Sequence, residues 1–170
     1  TAGPVVTNYV PAVGATGVGS NTPLVLRFDQ DLIKGAGTIN IFRLSDTNLH
    51  ESLDVASTNI HVTNTTATIY FENALQSLTT YFVIVTNTAF RDDLTNYFAG
   101  ITNSTTWYFT AADFSGPYIT NVTSTNADSS YTVGDNINVR VYFSEPIQHF
   151  GTHGMRLATG GSGRNAVYQS

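Results

Sequence analysis

The chain has 170 residues, a formal net charge of -5 and no Cys. Charged residues make up only 11% of it, and Lys34 is its single Lys. The solvent-facing sides of helices are usually rich in charged residues, so we expect almost no helix. The six Arg are scattered rather than clustered, which argues against nucleic acid as a partner. No apolar run approaches the roughly 18 residues that a membrane-spanning helix needs. We therefore predict an all-β protein.

The first two thirds of the chain alternate apolar and polar residues in short segments separated by turn residues, a pattern typical of a β-sandwich. The predicted strands lie near residues 5–9, 22–28, 38–44, 59–63, 66–71, 80–86 and 105–110. The predicted inward positions are Leu24, Leu26, Phe28, Ile39, Ile41, Ile69, Phe71, Tyr81, Val83, Val85, Trp107 and Phe109. Residues 75–81 also predict a tyrosine corner, in which the Tyr81 hydroxyl bonds to backbone upstream of it.

An internal repeat starts near residue 113. Residues 3–8 (GPVVTN) reappear as 116–121 (GPYITN), and 24–28 (LVLRF) reappear as 139–143 (VRVYF). A third match relates 37–41 to 151–155, again at an offset close to 114. We therefore predict a complete sandwich over residues 1–113 and the N-terminal half of a second one over residues 114–170.

The chain resembles the bacterial immunoglobulin-like domains of S-layer proteins, adhesins and multidomain secreted enzymes. The matching residues are 11–18, 23–32, 78–81 and 106–110 in the first unit, with 131–135 and 139–147 similar to a tandem repeat of bacterial surface proteins. The resemblance implies an immunoglobulin-like β-sandwich at the bacterial cell surface or outside the cell. It also implies a structural or adhesive role, in a filament or surface layer, with accessory module of a secreted enzyme as the alternative.

No catalytic motif supports an enzyme. The Gly-x-Ser-x-Gly elbow of serine hydrolases is absent, and Glu51, Glu72 and Glu145 lie in no recognisable pattern. His149 and His153 have a zinc-ligand spacing only if helical, whereas residues 150–152 favour a loop. The glycine-rich run 160–163 favours a hairpin loop over a phosphate site. We predict a protein without catalytic activity.

Calcium is the metal that the sequence favours, because Asp residues are frequent near turns and Ca²⁺ binds oxygen ligands. Around the predicted junction these residues are Asp113, Asp128 and Asp135. The competing interpretation is that each Asp bonds to backbone of its own turn.

Two kinds of partner follow from the pattern. The half unit exposes strand edges and an apolar face, which predicts completion of residues 114–170 by further residues of the same chain or by strand exchange with another subunit. The predicted partners are therefore a second copy of the chain or neighbouring immunoglobulin-like repeats. Alternation also places Phe82, Ile84 and Tyr108 on the outer face of neighbouring strands, together with Phe42. We predict that this apolar patch is an interface; the alternatives are that a loop or the adjoining domain covers it, or that it stacks against sugars.

Overall fold

The computed structural model describes residues 2–148, 150–151, 154–157 and 164–166. Its internal contacts divide the chain into unit 1, Thr1–Ser115, and unit 2, Gly116–Ser170. The division falls two residues after the boundary predicted from the repeat. The described residues contain strands and turns but no helix, so the all-β prediction is confirmed.

Unit 1 has eleven strands among its described residues. They are β1 Val6–Val10, β2 Ala15–Val18, β3 Leu24–Phe28, β4 Ile33–Lys34, β5 Thr38–Arg43, β6 Leu49–Asp54, β7 Ile60–Thr63, β8 Thr66–Ile69, β9 Thr80–Val85, β10 Phe90–Arg91 and β11 Tyr108–Ala111. Seven of them lie where the alternation predicted strands, and β2, β4, β6 and β10 were not predicted.

Two sheets form the sandwich. The first has the order β1-β3-β8-β7 and is antiparallel throughout. The second has the order β2-β11-β9-β5-β6, in which only the β2–β11 pair is parallel. β4 and β10 form a separate two-stranded pair.

The core between the two sheets includes the residues predicted to point inward. Eleven of the twelve are buried, and Phe71 is half-buried against the same cluster. Trp107 is fully buried, and its indole N–H donates to the Pro11 carbonyl O at 2.9 Å. Tyr9 packs against Trp107 with ring centroids 5.4 Å apart, and partial burial raises the pKa of its hydroxyl.

The tyrosine corner is confirmed. The backbone N–H of Gln76 donates to the Tyr81 hydroxyl O at 2.9 Å, and the Tyr81 ring is fully buried. His50 contacts the Tyr81 ring edge-on, with centroids 4.9 Å apart. The turn that leads into β9 is therefore fixed from inside the sandwich.

Unit 2 contains two antiparallel pairs among its described residues. β12, Ile119–Ser124, pairs with β13, Val139–Phe143. β14, Met155–Leu157, pairs with β15, Arg164–Ala166.

The sequence match between the units extends to their strand pairing. In unit 1, Val6 lies opposite Phe28 and the register then shifts before Asn8; in unit 2, Ile119 lies opposite Phe143 and the register shifts before Asn121. The adjoining hydrogen bonds are equivalent as well. Asp29 N donates to Val5 O at 3.1 Å, and Ser144 N donates to Tyr118 O at 2.9 Å. β12 and β13 are thus the counterparts of β1 and β3.

We predict that Tyr81→Phe destabilises unit 1 by about 1–3 kcal/mol, because it leaves the Gln76 N–H without its acceptor. Urea unfolding followed by Trp107 fluorescence measures the change. Tyr97→Phe is the matched control, since Tyr97 is 51% exposed, and it should change the free energy of unfolding by less than about 0.5 kcal/mol. Equal effects of the two substitutions would contradict the assignment.

Candidate functional surfaces

The predicted interface residues form a row across the outer face of the five-stranded sheet. Phe42 of β5 lies opposite Phe82 of β9, which in turn lies opposite Tyr108 of β11. The rings of Phe42 and Phe82 are stacked, with centroids 5.2 Å apart and an interplanar angle of 15°. Ile84 lies two residues along β9 from Phe82, opposite Asn40. We call Phe42, Phe82, Ile84 and Tyr108 the outer patch.

The outer patch is less exposed than alternation alone indicates. Phe82 is only 7% exposed although it lies outside the central core cluster, whereas the other three members are half-buried. Leu49, which lies opposite Phe42, extends the apolar surface toward the sheet edge and is 52% exposed. At the other end the Gly14 N–H donates to the Tyr108 carbonyl O at 2.7 Å. The role of this patch as an interface stays a prediction.

Edge strand β6 has a buried acidic side chain that the sequence analysis missed. A bulge separates the pairs Ile41–Glu51 and Phe42–Leu49, and the Glu51 carboxylate points inward. It accepts the backbone N–H groups of Glu72 and Asn73 at 2.8 and 2.9 Å. The available signal was alternation, since Glu51 shares its face with Leu53, which is 5% exposed.

An open cleft of about 440 Å³ lies beside this edge and is lined by residues 49–54 and by Ser57, Asn59, Glu72 and Asn73. Several of its polar groups bind one another. The Asn59 side-chain amide donates to Glu72 at 2.9 Å, and His50 Nε2 lies 3.0 Å from the Asn73 carbonyl O. The cleft residues therefore fasten the turn after β8 to edge strand β6.

Asp92 is the other buried acidic residue described by the structure. The Asn96 side chain and backbone N–H both donate to its carboxylate, at 2.7 and 2.8 Å, and these bonds hold its pKa below the usual value. Like Glu51, Asp92 is used to close a turn.

Asp113 fastens the end of unit 1. Its Oδ1 atom accepts the Ser77 hydroxyl at 2.7 Å and the Ser115 N–H at 2.9 Å. The Ser77 bond is the main cause that lowers the pKa of Asp113, with the Ser115 N–H as the second cause. Leu78 N also donates to Ala112 O at 3.1 Å. The segment that leaves β11 is thus bound to the tyrosine corner.

The other two predicted calcium ligands lie in unit 2. Asp135 accepts the backbone N–H and the hydroxyl of Thr132, at 2.6 and 3.1 Å, and Asp128 lies in a bend. Within the described ranges no three His, Asp or Glu side chains are grouped as metal ligands. Calcium binding by Asp113, Asp128 and Asp135 stays a prediction. His149, His153 and residues 160–163 lie outside the described residues.

Two packed sheets with a tyrosine corner, a buried Trp and a parallel pair formed by β2 and β11 define an immunoglobulin-like sandwich. The comparison with protein families gives the particular group: the bacterial Ig-like domain matches over residues 1–111. The chain belongs to this family, which confirms the resemblance for unit 1. No curated protein matches the chain. Across the part of the chain that is described, no helix is long and apolar enough to cross a membrane.

We predict that Asp113→Asn lowers the thermal midpoint of unit 1 at pH 7, and that the difference from the parent protein shrinks as the pH falls below about 3.8. The sign follows from the lowered pKa of Asp113. The stabilisation is present above the ordinary pKa and is lost as the carboxylate becomes protonated in the folded state. Asp113→Asn mimics that neutral form at every pH.

Thermal unfolding by circular dichroism from pH 2.5 to 7 measures this difference. Asp93→Asn is the matched control. Asp93 is exposed and directly follows the turn-closing Asp92 in the sequence, so this substitution should leave the thermal midpoint unchanged. A difference for Asp113→Asn that is constant over the whole pH range would contradict the account.

Proposed function

We propose that this chain is a structural module of a bacterial surface or extracellular protein, and that it carries tension between its neighbours rather than catalysing a reaction. Family membership supports a surface or extracellular module. The buried acidic groups are consistent with a structural role, since Glu51 and Asp92 both accept N–H groups of their own chain.

The observation on which the proposal rests is the parallel pairing of β2 with β11. These strands lie near the start and the end of unit 1, with Ala15 opposite Phe109 and Val18 opposite Ala111. The Ala112 N–H also donates to Val18 O at 2.8 Å. Force applied to the two ends of unit 1 first loads β1, which precedes β2 and pairs antiparallel with β3, and then acts along the parallel neighbours β2 and β11 in opposite directions. Their hydrogen bonds are therefore sheared together rather than broken one by one.

We predict that unit 1 unfolds at a higher force when it is pulled from its two ends, which we call the natural direction, than when it is pulled from the end of β5 and the C-terminal end of the unit. The chain contains no Cys, so engineered thiols give unique attachment points. Ala2→Cys with Gly116→Cys pulls along the natural direction. Ser45→Cys with Gly116→Cys pulls two strand ends that lie at the same end of the sheet, because β5 and β11 are both antiparallel to β9.

Single-molecule force spectroscopy of the full chain measures both geometries. The shared attachment point at residue 116 is suitable because a Cβ there meets no other atom within 4 Å. We expect a higher unfolding force for the natural direction, since forced unfolding is governed by the unfolding barrier along the direction pulled. An equal or lower force would overturn the tension-carrying role.

The outer patch favours one alternative, an accessory module that binds carbohydrate for a larger secreted enzyme. Aromatic side chains on a sheet face are suited to stacking against sugar rings, and Tyr108 is a half-buried member of the row. The outer patch is also suited to packing against a neighbouring protein domain. The carbohydrate hypothesis and the domain-packing hypothesis therefore differ in the ligand that they predict.

For this alternative we predict that Tyr108→Ala reduces binding on a glycan array about tenfold or more, as expected for the loss of a stacked aromatic contact. Tyr70→Ala is the matched control, since Tyr70 follows β8 of the opposite sheet and is 47% exposed. Absence of glycan binding by the parent chain, or an equal loss in both variants, would argue against the carbohydrate role.

A further inference from the structure

We infer that the two units are joined without a flexible linker. The chain leaves unit 1 through a hydrogen-bonded clamp, and the Gly-Pro dipeptide that follows already belongs to the unit that it opens. The inference rests on the proposed structural role, because a joint without slack passes tension to the next unit before the joint itself extends. Its test needs no applied force, so the two proposals can fail separately.

The Ser77 hydroxyl is the centre of the clamp at the end of unit 1. It donates to Asp113 Oδ1 at 2.7 Å and accepts the Phe114 N–H at 2.9 Å. The Ser115 hydroxyl donates to the same Ser77 oxygen at 3.2 Å, and the Ser115 N–H donates to Asp113 Oδ1 at 2.9 Å. We call Ser77, Asp113 and Ser115 the exit clamp. It binds the chain as far as the residue that precedes Gly116.

The exit clamp continues directly from the five-stranded sheet. β11 ends at Ala111, and the next residue is bonded on two sides. The Ala112 N–H donates to Val18 O at 2.8 Å, and the Ala112 carbonyl O accepts the Leu78 N–H at 3.1 Å. Each of the four residues 112–115 therefore takes part in a hydrogen bond within unit 1. None of them is a free linker residue.

The start of unit 1 shows how a closed sandwich holds the Gly-Pro dipeptide that opens it. A Cβ added at Gly3 would collide with the Tyr97 carbonyl O, so only Gly fits there without a shift of the backbone. Pro4 is buried. The Val5 N–H donates to the Asp29 carboxylate at 2.9 Å, and the Asp29 N–H donates to Val5 O at 3.1 Å. In unit 1 the dipeptide is a packed part of the sandwich.

Unit 2 opens with the same dipeptide, and the residue after it is bound in the same way. The Tyr118 N–H donates to Ser144 Oγ at 3.2 Å, and the Ser144 N–H donates to Tyr118 O at 2.9 Å. Ser144 thus takes the place that Asp29 has in unit 1. Between the last residue of the exit clamp and Tyr118 lie only Gly116 and Pro117.

The two joint residues themselves have little backbone freedom. The ring of Pro117 fixes its φ angle near about -65°. It also disfavours the helical region for the residue before it, so the usual freedom of Gly116 is reduced toward extended conformations. A short joint of restricted residues, bound on both sides, leaves little length that tension could extend.

Limited proteolysis of the full 170-residue chain with chymotrypsin tests the exit clamp. Phe114 is a cleavage site for this protease and is 42% exposed, but a protease needs a segment that can leave the fold. Ser77→Ala removes the acceptor of the Phe114 N–H and the hydroxyl donor to Asp113. We expect it to accelerate cleavage after Phe114 about tenfold or more, as identified by mass spectrometry.

Two further variants distinguish the exit clamp from a general loss of stability. Ser77→Thr keeps the hydroxyl and should restore the resistance to cleavage. Ser45→Ala is the matched control, because Ser45 is an exposed residue of the turn after β5, and it should leave the cleavage rate unchanged.

Backbone amide relaxation by NMR measures the slack of the joint in the same chain. We expect order parameters near about 0.85 at Phe114 and Ser115, as in rigid backbone, and values below about 0.6 at both residues in Ser77→Ala.

Gly3→Ala tests whether the dipeptide belongs to the unit that it opens. The added Cβ meets the Tyr97 carbonyl, so we expect the thermal midpoint of unit 1 to fall by about 4 °C or more. Gly116→Ala is the matched control, since a Cβ at residue 116 meets no other atom within 4 Å, and it should leave that midpoint unchanged.

The inference is refuted by rapid cleavage after Phe114 in the parent chain, by order parameters below about 0.6 at Phe114 and Ser115 in the parent chain, or by a Ser77→Ala variant that changes neither. Equal midpoints for Gly3→Ala and the parent chain would refute its second part, the assignment of the dipeptide to the unit that it opens. A flexible joint in a chain whose unit 1 still unfolds at a higher force in the natural direction would leave the proposed function intact.

Discussion

The central constraint in this protein is that β3 must be paired along both edges and covered on its inner face. β1 and β8 supply the edges, while Phe90 and Phe98 pack edge-on against Phe28 at centroid distances of 5.8 and 5.2 Å. Backbone N–H and C=O groups at a strand edge need partners, and apolar side chains need burial. Most of the remaining architecture of unit 1 follows from meeting both needs around this strand.

Much of the fold could be predicted from alternation, because seven strands contribute side chains to a single core and most of them are apolar at every second position. β1 departs from this pattern where its register shifts between Val6 and Asn8. The four strands that were missed lack that signal. β4 and β10 have two residues each, and β2 contains Gly17 and buries only Val18. In β6 a bulge at His50 interrupts the period, and the inward position is occupied by the acidic Glu51. Glu51 does alternate with the buried Leu53, but a search for apolar residues at every second position passes over a charged inward residue.

The outer patch shows where sequence reasoning about a site succeeds and where it ends. The neighbouring positions of Phe82 and Tyr108 could be predicted. Each points away from the inward residues of its own strand, so both lie on the outer face of the sheet. The burial of Phe82 could not, because it depends on the close stacking of Phe42 across the strand pair. The roles of Asp113 and Asp92 were equally out of reach. A carboxylate that closes a turn and one that binds a cation have the same local sequence.

The described strands of the two units differ in how their apolar side chains are covered. Unit 1 protects β6 with a bulge and an inward carboxylate, so the edge that borders its open cleft does not invite another strand. Unit 2 repeats the β1–β3 pairing in β12 and β13, with the same register shift, but leaves the apolar face of that pair exposed. A sandwich that closes on itself can transmit force without binding its neighbours. The β1–β3 and β12–β13 pairs are therefore the same local structure, covered by a core in unit 1 and exposed among the described residues of unit 2.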